Sequence, residues 1–354
     1  MDTIQKHLET CIAKEVFPGA TYVYGTSKQV LGHGALGKLA PQRGPVNENT
    51  LYDLASVTKP LVTMAFMKMF EEGLVCLDDT IADYLPEYKG YELGKSSLYQ
   101  LLTHTSKISG SVQLYRSCQT KEAFLDAIRH LPPRDNVHTP VMYSSQGMIV
   151  LGEIMAAIEQ KPLDQILKER LLTPLQMQHT MYNPSAELIE NIASTEECPW
   201  RGGQMVTGQV HDENAVVLGG VCAHAGLFST AADLAKVCQA MLTGLDAEGK
   251  RYYYPATIQL MTKNHTAGTN LARGLGWQCK DKTESPAGDL MSETSYGHTG
   301  FTGTSIWIDP ERDLYAVLLT NAVCPKRGRG GMARARHIFH NLVVLEKERA
   351  DEKQ

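Results

Sequence analysis

Leu54-Ala55-Ser56-Val57-Thr58-Lys59-Pro60 is the stretch on which the reading of this chain turns. It contains the only Ser-x-x-Lys in the 354 residues. From Ser56 onward, Val62, Ala65, Phe66, Met69 and Phe70 recur at helical spacing, which predicts a helix that stops near Gly73. Pro60 fits a first turn, where backbone amides lack intrahelical partners. Three residues along a helix put Lys59 on the face of Ser56. A serine hydroxyl is a poor nucleophile until a base takes its proton, and a lysine of lowered pKa serves as that base. The bland reading of the same residues is an N-capping serine beside a surface lysine.

Outward from this segment, residues 3–14 read as a helix ended by Phe17-Pro18-Gly19. Residues 20–24 and 29–31 read as a hairpin turning at Gly25-Thr26-Ser27-Lys28. Helical patterns follow at 97–102, 121–130, 146–159 and 163–172. Strand character returns at 304–308 and 314–319, joined by Asp309-Pro310-Glu311-Arg312-Asp313, and a last helix runs from Gly331 to about 349. The expected fold class is α/β (α+β): an antiparallel sheet flanked by N- and C-terminal helices, with an inserted, mainly helical domain. The expected division is 1–60 with 225–354 for the sheet domain, and 61–224 for the helical one.

Lys and Arg number 34 against 39 Asp and Glu, a net charge of −5, which excludes a strongly basic nucleic-acid binder on bulk charge. With 43% hydrophobic and 21% charged residues, the chain has the composition of a folded globular protein. No segment reads as a membrane span. The N-terminus carries charges throughout and no apolar core of a signal peptide. Eight cysteines without a Cys-x-x-Cys pair then read as reduced thiols, so the expected compartment is the cytoplasm; a secreted precursor already trimmed would look the same.

Several motifs compete for attention. Gly32-His33-Gly34-Ala35-Leu36-Gly37 imitates a nucleotide-binding loop, but Pro41 and Pro45 follow where a helix is needed, so it reads as a glycine-rich strand. Lys326, Arg327, Arg329, Arg334 and Arg336 read as a solvated loop leading into the last helix. His337 and His340 lack an identifiable third metal ligand. His211-Asp212-Glu213 with His224 has metal-binding residue types but fits no zinc spacing, and reads as polar bonding that holds a loop. No metal and no organic cofactor is expected. A Gly-x-Ser-x-Gly nucleophile elbow is absent.

Ser56-x-x-Lys59, then Tyr143-Ser144-Ser145, then His298-Thr299-Gly300, in that order, resembles the serine β-lactamase and penicillin-binding superfamily. The likeness is to its class C β-lactamase-related group, which includes D,D-peptidases, D-aminopeptidases and esterases. It extends to Leu101-Leu102-Thr103-His104-Thr105-Ser106, to residues 223–230 and to Leu318-Leu319-Thr320-Asn321. The resemblance implies a β-lactamase/transpeptidase-like fold and a serine hydrolase acting through an acyl-enzyme. Ser56 would be acylated, Lys59 and Tyr143 would share acid and base work, and His298 would line the site. The amides of Ser56 and Phe301 would form the oxyanion hole, Phe301 lying on an edge strand. Ser145, Thr299, Gly300 and Phe301 would contact substrate.

Two departures stand out. Ser145 replaces the asparagine that the family often has in its Tyr motif, and His298 replaces the lysine of its last motif. Both weaken the case for β-lactam hydrolysis and fit a small ester, amide or D-amino-acid peptide. The expected partner is therefore a small-molecule or peptide substrate, with β-lactam binding a further expectation and no nucleic acid or membrane. Oligomeric state is left open. The rival expectations are a catalytically silent ligand-binding protein on the same fold, a weak β-lactamase, and a metal-dependent hydrolase through His211 and His224.

Overall fold

A computed structural model describes residues 3–110, 112–134 and 140–352. Its centre is a six-stranded antiparallel sheet. The strands are β1 (Gly19–Gly25), β2 (Val30–Gly37), β3 (Gln278–Cys279), β4 (Tyr296–Thr299), β5 (Ser305–Asp309) and β6 (Leu314–Thr320), in the order β2-β1-β6-β5-β4-β3. The first and last parts of the chain meet in the middle, where β1 pairs with β6 and Val23 lies opposite Val317.

Strand alternation separates two cores. Tyr22, Tyr24, Leu314, Ala316 and Leu318 face one side, with Trp307. There they pack on α1 (Thr3–Ala13) and on the long C-terminal helix Met332–Asp351 through Leu8, Phe339 and Val343. Val23, Tyr315, Val317 and Leu319 face the other way, into a larger core shared with the helices of the middle of the chain. Side chains two apart share a face of a strand, so both faces must be apolar in a sheet covered on both sides.

The glycine-rich segment is strand β2. A Cβ on Gly32 would lie 2.5 Å from the Tyr24 ring, and one on Gly34 would lie 2.8 Å from the Tyr22 ring. Glycine is needed there because tyrosines of β1 cross the neighbouring strand.

The expected helix after Ser56 is α2 (Thr58–Glu71), preceded by a 3₁₀ turn over Ala55–Val57. Residues 58–67 of α2 are all buried, including Lys59. A helix apolar on every side belongs inside a protein, and α2 runs through the larger core. Helix α3 (Ser145–Glu159) packs against it, and α4 (Ala231–Thr243) covers β1, β5 and β6. The C-terminal helix is α5 (Met332–Asp351).

The edge position expected for Phe301 needs correction. The short β3 covers the start of β4, pairing Gln278 with Gly297 and Cys279 with Tyr296. His298 and Thr299 run past that cover, and Phe301 lies in the turn between β4 and β5. All eight cysteines are free thiols. No helix among the described residues is long and apolar enough to cross a membrane.

Candidate active site

Ser56 follows a backbone kink. Ala55 has φ +47°, a left-handed conformation that costs a non-glycine residue about 1–3 kcal/mol. The surroundings hold it: the Ala55 amide donates to Asp53 Oδ1 at 2.8 Å, and the other Asp53 oxygen accepts from the His211 amide at 2.6 Å. The next residue, half-buried Ser56, lines a cavity of about 480 Å³. One turn on, fully buried Lys59 donates from Nζ to Ser56 Oγ at 3.0 Å and to the His224 carbonyl at 3.0 Å. The surface-lysine reading is thereby replaced.

Tyr143 reaches the same place from the segment before α3. Lys59 Nζ lies 4.8 Å from its ring centroid, and the Arg273 guanidinium lies 5.4 Å away. The phenol oxygen is buried without a hydrogen-bond partner among the described residues. Ser144 caps α3 by accepting from the Gly147 amide at 3.0 Å. Ser145, the first residue of that helix, is not in the cavity wall.

His298, Thr299, Gly300 and Phe301 form the opposite wall. His298 Nδ1 lies 2.8 Å from the Thr299 carbonyl, which can only accept, so Nδ1 carries the proton. Nε2 is then a bare acceptor, buried and without a partner among the described residues. Burial first, then the charges of Arg273 and Lys59, holds this ring well below the ordinary histidine range, so it is neutral at neutral pH. Gly300 cannot bear a side chain: a Cβ would lie 2.0 Å from Thr304 Oγ1 and 2.4 Å from the Leu54 carbonyl.

Two threonines bind this wall to the Ser56 segment. Thr302 Oγ1 donates to the Asp53 carbonyl at 2.7 Å, and Thr304 Oγ1 to the Leu54 carbonyl at 2.9 Å. Behind them, Arg336 Nη2 donates to the carbonyls of Gly300 and Thr304 at 2.6 and 2.9 Å. The Phe301 ring is 61% exposed and stacks on His211 at 5.8 Å, with the Arg327 guanidinium 5.5 Å from it.

Three features lay outside the sequence reading. His104, left without a role in its quoted segment, is fully buried, with its ring 4.7 Å from that of Tyr143 and its Nδ1 accepting from the Ser144 amide at 3.2 Å. Burial, with Arg273, Lys59 and His298 nearby, holds its pKa well below the usual range. Arg273 belongs to no motif and reaches the cavity only through the fold. The basic run is not simply solvated: Arg327, Arg329 and Arg336 line the cavity.

The metal candidate resolves into hydrogen bonds. His224 Nε2 pairs with Asp212 Oδ1 at 2.9 Å, and His211 Nε2 with Glu196 at 2.9 Å. Burial pushes the Asp212 carboxyl up, but the His224 charge and hydrogen bond, with the Ala215 amide and Lys59, outweigh it and hold it below the usual carboxylate range. Asp212 thus steadies His224, whose carbonyl receives Lys59.

Residues 4–340 match the family model described as Beta-lactamase. The chain is 33% identical over 301 residues to the protein of Escherichia coli (strain K12) named "Putative D-alanyl-D-alanine carboxypeptidase", covering 77% of this chain and 69% of that one. This chain belongs to the β-lactamase family. Among solved structures, a class C β-lactamase superposes with a TM-score of 0.79 at 20% identity, over 97% of this chain and 95% of the other. EstCE1, a hydrolase with promiscuous acyltransferase activity, gives 0.78 at 21% identity, over 96% and 97%. Both are alike in fold. The family and its mixed fold are those that the order of the three motifs implies, and the family is one of hydrolases.

Proposed function

We propose that this protein is a serine D,D-carboxypeptidase that releases the last residue of a small peptide through an acyl-enzyme on Ser56. Ser56 Oγ attacks the scissile carbonyl carbon, forming a C–O bond. The Lys59–Tyr143 pair accepts the Ser56 proton and delivers it to the leaving amine as the C–N bond breaks. The amides of Ser56 and Phe301 receive the developing oxyanion. Water then cleaves the ester, the acyl carboxylate departs and Ser56 regains its proton.

The observation that carries this reading over a plain esterase is Arg273. Its guanidinium is buried in the cavity wall against Tyr143, and it makes no ion pair among the described residues. An unpaired buried charge is expensive, so the site suits a ligand that brings the missing anion. The free carboxylate of a terminal D-residue is such an anion. Neutral His298 offers no charge to it, whereas a guanidinium binds carboxylates in a bidentate fork.

The test is D-alanine release from an acetylated D-alanyl-D-alanine peptide by wild type and Ser56→Ala, with the L-alanyl-L-alanine peptide as control. Release by the wild type alone, and only from the D,D-peptide, supports the reading. Hydrolysis of p-nitrophenyl butyrate without D-alanine release would reassign the protein as an esterase. Equal rates in wild type and variant would remove Ser56 from the mechanism.

A further inference from the structure

The cavity wall is rich in positive charge. Among the described residues no Asp or Glu is part of its wall, whereas Arg273, Arg327, Arg329 and Arg336 are, with Lys59 bonded to the lining residue Ser56. Arg327 is already paired with two carboxylates, Glu196 accepting from its Nε at 2.6 Å and Glu213 from its Nη2 at 2.7 Å. The other arginines are not. Among the described residues Arg273, Arg329 and Arg336 bond only to neutral groups or to none: Arg336 to two carbonyls, Arg329 to the Glu15 carbonyl at 3.3 Å.

Arg273 and Arg336 stand out, since each has a buried Nε without a partner among the described residues. Burial lowers the Arg336 pKa to about 10, which still leaves it charged at neutral pH. Arg273 packs on Tyr143, whereas Arg336 comes from the first turns of α5 and holds the turn that carries Phe301. Two like charges lining one cavity repel each other and stay costly until each meets an anion. One terminal carboxylate meets one of them.

We infer that the physiological substrate is an acidic D-peptide with at least two anionic groups: the terminal carboxylate at Arg273 and a second carboxylate at Arg336, with Arg329 at the rim. This deepens the carboxypeptidase reading and rests on it. Arg336 then has a double duty. Nη2 positions the Phe301 turn, Nε is buried, and Nη1 is left to meet the second acid. The glycines around Arg329, Gly328 and Gly330, both at positive φ, leave that rim without side chains to obstruct an extended substrate.

The experiment compares matched peptides that differ only in carboxamide against carboxylate. One pair is acetyl-glutaminyl-D-alanyl-D-alanine and its glutamyl counterpart. The other pair ends in D-glutamine or D-glutamate. Affinity for the Ser56→Ala protein is measured by calorimetry, and release of the terminal residue by the wild type in parallel. The acidic member of at least one pair should bind about tenfold or more tightly, with the preference shrinking as salt is raised from about 50 to 500 mM. Arg336→Gln should abolish the preference and Arg336→Lys should keep most of it; the wild-type comparison stands even if one variant fails to fold. Equal affinity within both pairs, or a preference that survives Arg336→Gln in folded protein, would overturn the inference. The two readings fail separately. Tighter binding of the acidic peptide without release of any terminal residue removes the carboxypeptidase activity and keeps the acidic ligand. Equal release from both members of each pair, at equal affinity, does the reverse.

Discussion

The Thr304 hydroxyl donates to the carbonyl of Leu54 across 2.9 Å and so joins the turn after β4 to the residue two before Ser56. The proposed oxyanion donors, the amides of Ser56 and Phe301, belong to segments far apart in sequence. Their spacing depends on such cross-links, and Thr302 supplies a second one to Asp53. Donors placed in advance where charge develops need no rearrangement during reaction.

Thr304→Val keeps the shape and removes the donor. Leu54 O still accepts from the Val57 amide at 3.1 Å, so the stability loss should be modest, about 0.5–1.5 kcal/mol. Turnover should fall further than that loss suggests, by about tenfold, because a small misplacement of an oxyanion donor is costly. Parallel measurement of kcat on p-nitrophenyl butyrate and of Tm separates the two. A fall in Tm with unchanged kcat would show that the link serves folding alone.

Lys59→Met should move activity and stability in opposite directions, or activity alone. Fully buried Lys59 Nζ contacts Ser56 and the His224 carbonyl, with no carboxylate bonded to it among the described residues. Methionine fills a similar volume without burying a charge, which is often neutral or stabilising, although the His224 carbonyl loses a donor. Loss of proton transfer should cost about 10²–10⁴ in kcat. Chemical unfolding and ester hydrolysis on the same preparations check both parts. Activity retained to within a few-fold would remove Lys59 from the mechanism.

The elements that position the site were legible because their signals are local. Apolar spacing predicts α2 and the helix after Tyr143, and β-branched runs predict β5 and β6. Lys59 meets Ser56 because three residues of helix bring them together. Arg273 carried no local signal. It stands in an irregular segment and gains meaning only when folding lays it against Tyr143, 130 positions earlier. Arg336 was concealed by its company: in a run of basic residues the common outcome is a solvated face, and only the packing of α5 on the sheet turns this one inward. At Ser145 the sequence pattern does not show which of two adjacent serines caps the helix: Ser144 is the cap, and Ser145, the first residue of α3, is not in the cavity wall.

Acid should unfold the protein through its buried histidines. Burial holds His104 and His298 well below the ordinary range and pushes His340 down to about 3, against a backbone hydrogen bond to Pro286. These rings are neutral in the folded state. In the unfolded chain each binds a proton near pH 6.5. Above that pH neither state takes up a proton and stability is flat. Below it the unfolded chain gains protons that the folded chain refuses, so stability falls by about 1.4 kcal/mol per pH unit for each ring until its folded pKa is reached. His340→Gln should make the decline between pH 6 and 4 shallower by about one proton, as read from urea unfolding. An unchanged slope would show that His340 does not contribute. Because His298 stays neutral, the pH–rate profile should show no break near 6.5.

Phe301 allows its backbone and its side chain to be tested apart. Its amide is the proposed oxyanion donor, whereas its ring lies at the cavity mouth, stacked on His211 and beside Arg327. Phe301→Ala keeps the amide and removes the ring. Turnover of p-nitrophenyl acetate, which leaves little to touch the mouth, should stay within a few-fold of wild type. A substrate with a long or aromatic acyl group should lose binding, because a ring contact contributes about 0.5–1.5 kcal/mol beyond its area. The expected signature is a rise in KM of about three- to tenfold for the large substrate with kcat preserved, as for an interaction equally strong in ground and transition states. A loss of kcat on both substrates would instead show that the ring, through its stacking on His211, holds the turn and hence the amide.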